Sequence, residues 1–137
     1  MKKLLAIILL TILVSGCAQN RKVTYPGDFV YLEREQITSE MAQLSNYMSQ
    51  IDEILADDST ISSEQQARIA NILSLIDASA DSLGAGNVET NHLIIDDHID
   101  QFKTDVNVAL RNARADPPNY SPLGKLAGSC AACHQYR

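Results

Sequence analysis

Along most of the chain, apolar residues recur at alternating steps of three and four, the spacing of helices that each bury one stripe. In the first stretch, from about Asp28 to Ala56, the stripe is Val30, Ile37, Met41, Leu44, Met48, Ile51 and Leu55. Arg34 stands in this stripe where an apolar residue is expected, and Asp57-Asp58-Ser59 ends the pattern. A second stretch, from about Ser63 to Leu83, carries Ile69, Ile72, Leu73, Ile76, Ala80 and Leu83. Ser62 followed by Gln65 has the form of a capping box, which satisfies free backbone N–H groups at a helix start. Gly84 and Gly86 supply the left-handed conformations that terminate helices. A third stretch, from about Val88 to Ala115, places Ile95, Ile99, Phe102, Val106, Ala109 and Ala113 on one face, with His92 a turn before Ile95. Asp116-Pro117-Pro118 stops it. The fourth opens at Ser121-Pro122, a cap followed by Pro at the first helical position. It runs through Leu123, Leu126, Ala127 and Cys130 to the C-terminus. Strand-like alternation is almost absent. Four helices with short connections predict an all-α, antiparallel up-down-up-down four-helix bundle over residues 28–137, with no repeat and no second domain.

The beginning of the chain follows a different rule. In MKKLLAIILLTILVSGC two lysines precede an apolar run, and small residues lead into Cys17. These are the three parts of a secretory signal, and the run is short for a membrane span. Val14-Ser15-Gly16-Cys17 resembles the bacterial lipobox, at which a cysteine is acylated and the leader removed. The resemblance implies a cleaved signal over residues 1–16, lipidation of Cys17 and a lipidated polar tether over residues 17–27. An ordinary secretory signal or an uncleaved anchor is the competing reading. Several acyl chains would hold the domain on a bilayer, facing the periplasm of a bacterial envelope. Ala18 after the cysteine, rather than Asp, favours the outer membrane. Cleavage would remove two of the 11 basic residues and leave nine against 17 acidic ones, taking the formal charge from −6 to −8. That balance argues against nucleic acid, whose phosphates need a concentrated basic surface. It favours basic protein partners instead.

The candidate chemistry lies in the last eight residues. Cys130-Ala131-Ala132-Cys133-His134 is a CxxCH motif, the attachment signature of haem c. Two cysteines three apart share a helical face and can form thioethers with the two haem vinyl groups. His134, four residues after Cys130, shares that face and can offer its imidazole to the iron. All three cysteines then have a use: Cys17 in the lipobox, Cys130 and Cys133 in one covalently bound haem. A thioredoxin-like pair, a zinc site or a structural disulfide are the alternatives. The first lacks a βαβ context, and structural zinc takes four ligands where three are local.

The ending GSCAACHQYR, placed on the last of four helices, resembles the class II c-type cytochromes: the cytochrome c′ group and its low-spin Met/His relatives. The likeness covers the mature chain in architecture and is specific over Gly128 to Arg137. One residue, Gln135, separates His134 from Tyr136-Arg137, where the family usually has two before its aromatic-Arg pair. The resemblance implies His134 as proximal ligand and a residue of helix one over the other face of the iron. A Met there implies an electron carrier, and an apolar residue implies a five-coordinate protein that binds NO or CO. Met41 is the leading distal candidate. Met48, about 10 Å further along the axis, is expected as packing. Aligning Arg34 with a frequent helix-one Arg of the group would instead put Thr38 or Ile37 over the iron. His92 is a second distal candidate or a propionate partner; Arg34 and Arg137 are candidate haem contacts. His98 is expected on the surface. The expected function is electron transfer to or from a redox partner protein of unknown identity, with no enzymatic centre and with a homodimer as a candidate state. A haem-free helical envelope lipoprotein is the reading from a different class.

Overall fold

A computed structural model describes residues 24–56, 60–84, 86 and 88–135. The signal peptide, Cys17, most of the tether, Tyr136 and Arg137 lie outside these residues. Four helices dominate: α1 (Arg34–Leu55), α2 (Ser63–Ser82), α3 (Leu93–Ala113) and α4 (Pro122–His134). Two short strands, β1 (Phe29–Val30) and β2 (Glu89–Thr90), pair in parallel. The arrangement is all-helical and compatible with a helical bundle, as the apolar periodicity predicts.

Local chemistry explains the helix ends. At α2 the capping box is complete: Gln65 N–H donates to Ser62 Oγ at 3.2 Å, and Ser62 N–H donates to Gln65 Oε1 at 2.8 Å. Gly84, at φ 99°, turns the chain out of α2. Pro122 opens α4 at a position where no N–H is needed. Ser121 makes no side-chain cap bond; its own N–H donates to Asn119 Oδ1 at 3.0 Å.

Helices α1 and α3 begin later than the apolar pattern suggests, near residues 34 and 93 rather than 28 and 88. The reason is the pairing of the two lead-in segments. Asn91 clasps Leu32, accepting from its N–H at 2.7 Å and donating to its carbonyl at 3.1 Å. The Asp96 carboxylate reaches back from the first turn of α3 to accept from both the N–H and the hydroxyl of Thr90. These bonds hold both segments extended, and Leu32 is carried into the core with 1% exposure.

Each helix packs on its neighbour in sequence, α1 on α2, α2 on α3 and α3 on α4. Ile51, Ile69, Leu73, Ile76, Val106 and Leu126 form the fully buried centre. Among the described residues α1 does not pack directly on α4. None of the described helices is long and apolar enough to cross a membrane.

Candidate functional site

The space between α1 and α4 is a cavity of about 520 Å³, within the range of small-molecule and cofactor pockets. Ala127, Ser129, Cys130, Cys133 and His134 of α4 form one wall. The helical spacing of the CxxCH motif therefore turns both thiols and the imidazole toward a single space. Cys130 and Cys133 are free thiols, half-buried. Burial pushes both thiols above their ordinary pKa, and the neighbouring Cys133 adds to the effect at Cys130. Both are therefore held as neutral thiols at neutral pH.

Opposite them, α1 presents Met41, Leu44 and Met48, with Ser45, Ser49 and Asp52 along the same wall. The floor is apolar: Ile76 of α2 and Leu83 beyond it, with Ile95, Ile99 and Phe102 of α3. Thus Met41 faces the cavity, as the stripe predicts, and so does Met48. The cavity-facing portion of α1 runs from Met41 to Asp52 and so includes the second methionine. Met41 and Met48 are both half-buried.

The remaining sequence candidates fall elsewhere. Arg34 and Thr38 are exposed and flank a shallow surface recess on α1. Ile37 packs against the core outside the cavity lining. His92 is the cap residue of α3, with φ −127° and ψ 87°, so it leaves the helical face shared by Ile95 and Ile99. It does not line the cavity. His98, expected on the surface, is half-buried and does line it. The signal for His98 was present in the spacing, three residues after Ile95 and four before Phe102, although the neighbours Asp96, Asp97 and Asp100 make that stretch look solvated.

Sequence reasoning also passed over Asp105, which lies on the α3 stripe three residues after Phe102. Its side chain is 1% exposed and bonded to α4. The described residues contain no group of three or more His, Cys, Asp or Glu arranged to hold a metal ion unaided. What the cavity brings together is two thiols and an imidazole on one wall, two thioethers on the facing wall and apolar surface between them. This donor set fits a covalently attached haem, whose planar body needs apolar contact and whose iron takes nitrogen or sulfur ligands. No protein-family model matches the chain, nor does any curated protein or solved structure.

Proposed function

We propose that the chain is a membrane-anchored, periplasm-facing monohaem c-type cytochrome of the class II kind, an electron carrier and not an enzyme. The observation that carries this reading is the shared cavity, in which Cys130, Cys133 and His134 face Met41 across an apolar slot. In this reading Cys130 and Cys133 hold the haem through thioethers, and His134 binds the iron on the α4 side. Met41 supplies the sulfur on the α1 side. When bound, the haem supplies a one-electron ferric–ferrous couple. The protein's part is to exclude water with Leu44, Ile76, Ile95, Ile99 and Phe102 and to hold His134 and Met41 on helices, which would limit rearrangement when the bound group changes charge.

The antiparallel up-down-up-down order belongs to the same proposal. It is supported by the short connections and by the lining, which combines the end of α2, the start of α3 and the end of α4. Lipidation at Cys17 would tether the domain to the envelope, the outer membrane being favoured. An acidic mature surface suits a basic redox partner.

A second reading has a specific observation behind it. Leu44, buried and one turn from Met41, also stands on the α1 wall. With Leu44 over the iron, the site would be five-coordinate and open to NO or CO. Optical spectra of the oxidised and reduced protein, with and without CO, separate the two. A low-spin spectrum unchanged by CO is expected, and loss of the ferric Met–iron band in Met41→Ala but not in Met48→Ala assigns the sulfur. A high-spin spectrum that shifts with CO would establish the gas-binding reading instead.

A further inference from the structure

Asp105 is a fully buried carboxylate in the interior of the described fold. Taking an ionised carboxylate out of water costs several kcal/mol unless donors surround it. Three do. Gln101 Nε2 donates to Oδ1 at 3.0 Å, Lys125 Nζ lies 2.9 Å from the same oxygen, and Ser129 Oγ donates to Oδ2 at 2.5 Å. Gln101 is one turn away on α3, but Lys125 and Ser129 both belong to α4. They are themselves one turn apart, so the carboxylate straddles the turn immediately before Cys130.

That placement matters because α4 is weakly held otherwise. It has 13 residues, with Gly124 and Gly128 inside it, and is short for a helix to persist alone. Its buried apolar side chains, Leu123 and Leu126, both lie in the first half. In the half that carries Cys130, Cys133 and His134, the Ser129–Asp105 bond ties the helix to α3, and Cys130 packs partly against the core. Turning α4 by one residue, about 100°, would take Ser129 away from the carboxylate and the motif away from the cavity. Ser129 also lines the cavity, so Asp105 stands one side chain behind its wall.

We infer that Asp105 is the positioning residue of the haem-bearing turn and that its fixed negative charge lowers the reduction potential of the group in the cavity. This rests on the haem reading above. A buried ionic cluster of this kind adds little net stability; its inferred role is to hold the register of α4 on α3. In a poorly polarisable interior its charge is felt more strongly than at the surface, and a negative charge favours the ferric state.

The test uses the haem-loaded chain and the variants Asp105→Asn, Lys125→Met and Asp105→Leu, read by midpoint potential and by the optical spectrum of the axial ligands. Asp105→Asn removes the negative charge and raises the potential. Lys125→Met removes the compensating positive charge beside the carboxylate and lowers the potential. A purely structural role would not give shifts of opposite sign. Asp105→Leu fills the volume without fixing α4, and a changed or mixed ligand spectrum is expected. Unchanged potentials, or two shifts of the same sign, overturn the charge role. A wild-type spectrum in Asp105→Leu overturns the positioning role. Should either Asp105→Asn or Lys125→Met fail to fold, the sign of the shift in the other decides the charge role. If the wild-type chain carries no covalent haem, the haem reading and the charge role fail together. Amide exchange over residues 123–134 then still decides positioning: faster exchange in Asp105→Leu supports it, and equal exchange overturns it.

Discussion

At the scale of single residues, Gly84 and Gly86 make an informative pair. Both have positive φ, 99° and 91°, which a side chain adopts only with strain. They differ in surroundings. A Cβ on Gly84 would stand 2.7 Å from Thr90 Cγ2, whereas nothing lies within 4 Å of one on Gly86. Gly86→Ala is therefore expected to lose about 1–2 kcal/mol, the penalty of the left-handed conformation, and Gly84→Ala distinctly more, because Thr90 is held by Asp96. Urea midpoints of the two variants measure the difference. Asp105 gives a pH-dependent counterpart. Burial pushes its carboxyl up, but hydrogen bonds from Lys125, Ser129 and Gln101 outweigh burial and hold it below the ordinary carboxylate range. A carboxyl depressed in the fold contributes stability above its unfolded pKa, about 3.9, and loses it as pH falls through the folded value. Asp105→Asn should thus be less stable than wild type by about 1–3 kcal/mol at pH 7. The gap should close as pH falls below about 4. Denaturant titrations at both pH values check the sign.

At the scale of elements, the helices were legible because each buries a continuous stripe, and the stripe is the signal. Ile69, Leu73, Ile76 and Ala80 on α2 all fall in the core. The strands were not legible, since two residues cannot show an alternation; what makes β1 and β2 is the clasp of Asn91 on Leu32, a contact across 59 positions. That same clasp sets where α1 starts. The CxxCH motif could be read directly because its three residues lie within five positions of one helix. Met48, His98 and Asp105 could not be placed so easily, because their surroundings depend on where other helices begin. The elements should respond to truncation according to burial. Ile51→Ala, at a site with no exposure, is expected to cost about 2–5 kcal/mol. Leu93→Ala, at 76% exposure, should stay within about 0.5 kcal/mol of wild type. Thermal unfolding of the two variants tests whether the stripe assignments carry the stability they imply.

At the scale of the whole molecule, attachment and anchoring are separable. A haem stain on a denaturing gel is expected to mark the wild-type chain, because thioethers survive denaturation, and to fade sharply in Cys133→Ser. Cys17→Ser should leave the stain unchanged while moving the protein out of the membrane fraction. Failure of the stain would support a haem-free lipoprotein; failure of fractionation alone would favour an uncleaved leader over a lipid anchor and leave the cytochrome. The gap between α1 and α4 adds a topological consequence. On the proposed ligation, Met41 and His134 would be joined through one iron, although they stand 93 positions apart. Unlike a disulfide, such a junction opens when the chain unfolds, so each folding event must close the long loop anew. For a loop of this length that closure costs about 4–5 kcal/mol in the chain-entropy account, which the iron–sulfur bond and the packing around it would offset. A ligand set chosen for its redox chemistry would then also be the cross-link that ties the beginning of the fold to its end.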